Sequence, residues 1–301
     1  MTPFFQLRQV QRALGCAALC AVTAALLVSC GGQTYPPEQG SGTGQNKGGS
    51  GAGSGGGAAA LAVTGAYQGT LNNSDFVSFV TPPPELAWYG LYYLQTSGNV
   101  SIYPDIYRGT FSSVTSDSAS IANLSAFQFS SHVVNGNLSH LSTGTAVISG
   151  ASAANYQVAL NGVALTNSQA NPSFSATAIP TYAVLPGNWT GTLTDNEVSG
   201  SAGVSLTFDA EGVLSNSVSY ANCPLALKLT SVSLSPPAYY TARLEIAKKT
   251  GCRRSELNSV QATVLTGIGF IHDSPVNGRS KRLEIILTDS TGSGISFRGD
   301  Q

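Results

Sequence analysis

The chain has 301 residues, with 14 basic and 15 acidic side chains and a formal charge of −1, a balance that argues against nucleic acid as a partner. Charged residues make up only 10% of it, well below the usual ~25%. The polar surface must therefore be built mainly from Ser, Thr, Asn and Gly, as in many extracytoplasmic β-proteins.

Residues 1–29 carry Arg8 and Arg12, no acidic side chain, and an apolar run from Ala13 to Val28. A basic head followed by such a run predicts a secretory signal peptide, since a membrane-spanning helix needs about 20 apolar residues. Leu27-Val28-Ser29-Cys30 resembles the lipobox of bacterial lipoproteins. That resemblance implies diacylglyceryl transfer to the Cys30 thiol and cleavage just before it. Each buried methylene contributes about 0.8 kcal/mol, so two or three acyl chains would make the lipid bilayer a permanent partner. In such lipoproteins an aspartate after the cysteine retains the protein in the inner membrane; Gly31 here implies the outer membrane. Loss of Arg8 and Arg12 leaves 12 basic against 15 acidic side chains in the mature chain.

After Cys30 comes "GGQTYPPEQGSGTGQNKGGSGAGSGGGAAA", which has no apolar periodicity and cannot bury enough surface to offset the entropy of ordering. Residues 30–64 are thus expected to form a lipidated cysteine followed by a flexible linker. A Gly-rich coil of its length spans roughly 30–35 Å on average and stretches to about 110 Å.

Beyond the linker, "GAYQGTL" at Gly65–Leu71 returns as "GNWTGTL" at Gly187–Leu193, a shared Gly-x-aromatic-x-Gly-Thr-Leu pattern. Two similar domains are predicted, at 65–186 and 187–301. Both read as strands. Val204, Leu206 and Phe208 alternate with polar residues, as do Leu244 and Ile246. Leu283, Ile285 and Leu287 share one parity, opposite to Glu284 and Thr288; Val264, Ile268 and Phe270 share another. "DFVSFV", "LAWYGLYYL" and "NYQVALNGVAL" give the first half the same character. With strands recurring between Gly, Asn, Ser and Pro clusters, the fold class is all-β: two small antiparallel barrels or sandwiches.

Charge differs between the halves. The first has Asp75, Glu85, Asp105 and Asp117 against Arg108 alone. The second concentrates its basic residues at Lys248, Lys249, Arg253 and Arg254, a candidate basic patch, and again at Arg279, Lys281 and Arg282. A contact with phosphate or acidic polymer is expected in the second domain if anywhere.

Of five cysteines, Cys16 and Cys20 fall in the signal and Cys30 in the lipobox. The remaining even pair, Cys223 and Cys252, reads as a disulfide in an exported chain. A metal site would need histidine or further cysteine partners that the pair lacks, and no metal or cofactor is expected.

Catalytic patterns are sparse. His132 and His140 have no metal-binding spacing, His272 precedes Asp273 near a strand end, and no Gly-x-Ser-x-Gly elbow presents a nucleophile. No two carboxylates have a spacing that sets them across a cleft. Glycine clusters lie in the linker and turns rather than between a strand and a helix. The run "WYGLYY" puts Trp88 and Tyr92 on one strand face and Tyr89 and Tyr93 on the other. One face enters the core; the other is a candidate binding surface for a sugar ring or a protein, unless the strand is covered on both sides. Arg298-Gly299-Asp300 has the sequence of the integrin-binding tripeptide but falls where a last strand is expected.

Taken together, the lipobox, Gly-rich linker, repeated "GAYQGTL" and "GNWTGTL", "ELAWYGLYY" and the second-half cysteine pair resemble a group of proteobacterial envelope lipoproteins. No activity is assigned to that group, so the resemblance implies architecture and address and transfers no catalytic residue. The expectation is a non-enzymatic lipoprotein that binds or scaffolds an envelope protein or glycan. The alternatives are an envelope hydrolase or carbohydrate-active enzyme with a site assembled from distant residues, and a lipocalin-like carrier with an open apolar cavity.

Overall fold

The computed structural model describes residues 64–71, 74–94, 103–115, 118–127, 141–149, 155–162, 173–196, 201–247, 252, 263–290 and 293–301. The segment expected to be a signal, with Leu27, Val28, Ser29 and Cys30, and nearly all of the expected linker lie outside these residues, as do His132, His140 and Asp117. Among the described residues there are sixteen strands and no helix.

Strands β1 (Gly65–Leu71), β2 (Ser74–Val80), β3 (Ala87–Leu94), β4 (Tyr103–Val114), β5 (Ser118–Phe127), β6 (Leu141–Ser149), β7 (Asn155–Asn161) and β8 (Ser173–Ile179) follow one another around a closed barrel. β1 completes it by pairing antiparallel with both β2 and β8. The second sheet holds β9 (Gly187–Asp195), β10 (Ser201–Phe208), β11 (Val218–Tyr220), β12 (Cys223–Ser233), β13 (Tyr239–Ile246), β14 (Thr263–Asp273), β15 (Lys281–Thr288) and β16 (Gly294–Asp300). Its order is β10-β9-β16-β15-β14-β13-β12-β11. Segment 212–215 nearly closes this sheet: Leu214 N donates to Leu227 O, and Ser215 N to Thr207 O. Antiparallel barrel-like units are thus what the alternation builds, in preference to sandwiches.

The repeated heptapeptide falls on equivalent strands. β1 and β9 each lie between the second and the last strand of their unit. Gly65 and Gly187 open them with φ of 126° and 132°, a conformation that costs only glycine little. The aromatic at the third position points inward in both, with Tyr67 and Trp189 buried. Gly69 and Gly191 at the fifth let the last strand come close: a Cβ there would run into the carbonyl oxygens of Ser175 and Arg298 respectively.

Both interiors are packed. Phe76, Trp88, Tyr107, Tyr156 and Phe174 fill the first, and Trp189, Phe208, Leu283, Ile285 and Phe297 belong to the core of the second. The indole N–H groups are satisfied: Trp189 donates to Leu185 O at 2.9 Å, and Trp88 points at Tyr156 OH at 3.5 Å. Cys223 and Cys252 form the expected disulfide, which fastens the buried start of β12. Closing a loop of that length stabilises by roughly 3–4 kcal/mol in the chain-entropy account.

A third apolar cluster joins the units. Val77, Phe79, Tyr89, Leu91 and Tyr93 on the outer face of β2 and β3 meet Tyr239, Ile268, Phe270 and Ile286 of the second sheet. Phe79 lies 5.2 Å from Phe270 and 5.1 Å from Tyr239, within the range of favourable aromatic pairing. The parity of Ile268 and Phe270 therefore faces the neighbouring barrel, while Leu265 and Ile271 face the interior. The connecting segment is docked as well: Tyr182 N donates to Ile271 O, and Ala238 N to Thr181 Oγ1. Both barrels belong to one compact unit.

Candidate functional site

All four aromatics proposed as a binding surface are buried, which corrects that expectation: Trp88 is 0% exposed, Tyr92 2%, Tyr93 4% and Tyr89 5%. Trp88 and Tyr92 occupy the barrel interior; Tyr89 and Tyr93 lie in the seam against the second barrel. The strand is covered on both sides because each of its faces has an apolar partner. Lys248, Lys249, Arg253 and Arg254, the proposed basic patch, lie outside the described residues.

At one end of the seam a charged cluster is buried. Glu284 on β15 is 0% exposed and accepts from Arg298 Nε at 2.7 Å and from Tyr93 OH at 2.7 Å. His272 Nε2 stands 3.5 Å from the same carboxylate, and its Nδ1 is 2.8 Å from Asp273 O. The Arg298 guanidinium stacks 3.3 Å from the Tyr93 ring centre and approaches Asp75 at 3.7 Å. Burial by itself would raise the Glu284 carboxyl; Arg298, His272 and Tyr93 more than offset it and hold the group below the usual carboxylate range. Burial also pushes the Tyr93 phenol well above its ordinary value, opposed by Arg298 and reinforced by Glu284.

The side chains of this cluster are engaged with one another. Among the described residues His272 meets Glu284 and the Asp273 carbonyl rather than a serine, and its ring is almost wholly shielded from solvent. Asp75 and Glu284 share one arginine instead of facing each other across a gap for a substrate. Among the described residues no three His, Cys, Asp or Glu side chains converge as a metal site would require. The Arg298-Gly299-Asp300 tripeptide lies within β16: Arg298 is committed to Glu284, and Asp300 takes a bidentate pair from Arg282 at 2.8 and 2.9 Å. Lys281 is engaged as well, with Asp273 at 2.7 Å and the Tyr182 ring at 3.2 Å.

Toward the other end of β3 the seam opens into a groove of about 740 Å³, within the range of small-molecule sites. The first barrel contributes Glu85, Ala87, Tyr89, Arg108 and Thr110 to it, and the second contributes Lys228, Thr230, Thr241, Arg243 and Thr266. The β4–β5 register slips between Arg108 and Thr110, a bulge of the kind that re-aims side chains beside a site. Arg108 lies 5.7 Å from the Tyr89 ring centre and donates to Thr288 Oγ1 at 3.3 Å. Lys228 and Arg243 are direct cross-strand partners on β12 and β13, so two like charges stand side by side at the groove. Arg243 has Glu245 as an ion-pair partner; among the described residues Lys228 has no carboxylate partner.

Sequence reading missed this groove because Arg108, Lys228 and Arg243 are scattered along the chain and carry no motif. The available signal was the solitary base of the first half. Comparison with known proteins finds no family model, no curated protein and no solved structure that matches the chain.

Proposed function

We propose that this chain is a lipoprotein of the bacterial outer envelope, held by an acylated Cys30 and a Gly-rich linker, that acts by binding rather than by catalysis. The observation that carries the binding role is the polar groove lined by both barrels. The buried apolar seam between the barrels brings the two walls of that groove together, which is what a recognition surface requires. The address rests on the sequence: a signal-like segment, the Leu27-Val28-Ser29-Cys30 lipobox and the linker that follows. Among the described residues, Asp75 and Glu284 share Arg298 rather than facing each other across a gap, which gives the hydrolase alternative no paired carboxylates to rest on.

The test is the intact mass of membrane-extracted protein beside a Cys30→Ala variant. The expected result is a mature chain beginning at Cys30 with two or three acyl chains, and a variant without lipid. A wild-type chain free of lipid would overturn the anchored reading.

A further inference from the structure

We infer that the groove between the barrels is a binding site for an anionic saccharide, a sugar chain carrying carboxylate or phosphate groups. This rests on the reading of the chain as a binding protein and adds the chemistry of the ligand. Three cations line the groove, Arg108 from one barrel and Lys228 and Arg243 from the other, against the single carboxylate of Glu85. In a chain with only 14 basic residues this is a concentration, not an average surface.

The placement of Lys228 opposite Arg243 gives the cluster its meaning. Like charges directly opposed across strands are destabilising, and Glu245 engages only the arginine. Neither fold nor core requires the lysine, whose side chain is exposed. An anion seated between Lys228, Arg243 and Arg108 would relieve the repulsion and bridge the two barrels. The rest of the lining is hydroxyl-rich, with Thr230 and Thr241 paired across the same two strands as the cations. Threonine hydroxyls and Glu85 offer donors and acceptors suited to sugar hydroxyls, and a simple inorganic anion would leave most of a 740 Å³ groove unused.

The experiment is calorimetric titration of the full chain in detergent at low salt with three probes: trigalacturonic acid, glucose 6-phosphate and neutral maltotriose. At least one anionic probe is expected to bind, with maltotriose at least about tenfold weaker, and affinity should fall as salt rises. Arg108→Gln and Lys228→Glu should each weaken binding by about tenfold, the scale of one charge-assisted hydrogen bond. Lys228→Glu also places a carboxylate opposite Arg243, so its urea midpoint should stay the same or rise while binding falls, a combination that misfolding cannot produce. Arg279→Gln, an exposed charge away from the groove, should leave binding unchanged. The inference fails if neither anionic probe binds, if maltotriose binds equally well, or if Arg279→Gln weakens binding as much as the groove variants. None of these outcomes alters the acyl mass at Cys30, so groove and anchor are judged separately. The tighter of the two anionic probes identifies the charged group as carboxylate or phosphate.

Discussion

Tyr93 on β3 donates a 2.7 Å hydrogen bond to Glu284 on β15, joining residues 191 positions apart and on different barrels. The bond completes the shell of a carboxylate that has no contact with solvent and whose charge is balanced mainly by Arg298. Breaking such a pair leaves an uncompensated buried charge, whereas replacing both partners with apolar groups of similar volume does not. Arg298→Met is therefore expected to cost about 3–5 kcal/mol in urea unfolding. The double variant Glu284→Leu with Arg298→Met should be more stable than Arg298→Met alone. A double variant at least as unstable as the single would show that the pair contributes through its geometry and not merely by mutual neutralisation.

Acid should act on this seam with a definite sign. The Glu284 carboxyl is held below its unfolded value of 4.5, against the upward push of burial, by Arg298, His272 and Tyr93; Asp75 lies beyond Arg298. Asp300 is likewise lowered from 3.8, with burial opposing and Arg282 and Ser274 prevailing. A lowered folded-state pKa contributes stability that is complete above the unfolded value and is lost as pH falls through the folded one. Unfolding free energy should thus stay level with respect to these groups down to about pH 5 and decline below about pH 4.5. Glu284→Gln should lower the plateau and flatten the decline, readable from urea titrations at a series of pH values. A decline unchanged in slope would assign it to other carboxylates.

Two buried tyrosines in the first barrel invite the same substitution with opposite results. Tyr156 OH is hydrogen-bonded to Ser78 Oγ and faces the Trp88 indole N–H at 3.5 Å. Tyr156→Phe strands both groups and should cost about 1–3 kcal/mol. Tyr107 OH is equally buried but has no hydrogen-bond partner among the described residues. Tyr107→Phe removes a desolvated hydroxyl and keeps the ring contacts with Phe76 and Trp88, so it should be neutral or stabilising by up to about 1 kcal/mol. Thermal unfolding of the two variants side by side decides it.

Period-two alternation was enough to read antiparallel strands, because Leu283, Ile285 and Leu287 follow the pleat into the interior, but it left barrel and sandwich open. The seam was less legible, and the reason lies in its residues. Glu284 sits opposite that apolar parity and looks like a solvent-facing charge, yet the face it occupies is covered by the other barrel. A local signal existed: Phe76 and Val80 alternate with Val77 and Phe79, so β2 is apolar on both faces, as strands buried on both sides are. "WYGLYY" carries the same message, but aromatics on both faces fit a ligand platform equally well until a partner surface is in view. The groove is illegible for a different reason, since the opposition of Lys228 and Arg243 depends on a hairpin register that the β12 bulge between Ser231 and Ser233 helps to set.

The repeated heptapeptide makes the last prediction, at its fifth position. Gly191 pairs with Val204 on one side and Gly299 on the other, and a Cβ would meet the Arg298 carbonyl and the Gly299 Cα. Those are backbone atoms, so only separation of β9 from β16 could make room, and that would disturb the strand that carries Arg298. Gly191→Ala should cost about 1–3 kcal/mol or more, in the manner of an overpacked core. Gly203, on the neighbouring β10, has nothing within 4 Å of a would-be Cβ. Gly203→Ala should be neutral or stabilise by about 0.5–1 kcal/mol, because alanine restricts the unfolded chain more than glycine does. If Gly69→Ala behaves like Gly191→Ala, through its own encounter with the Ser175 carbonyl, the heptapeptide marks the same closure in both barrels. If only one of the two destabilises, the repeat is a likeness of sequence whose fifth position does different work in each barrel.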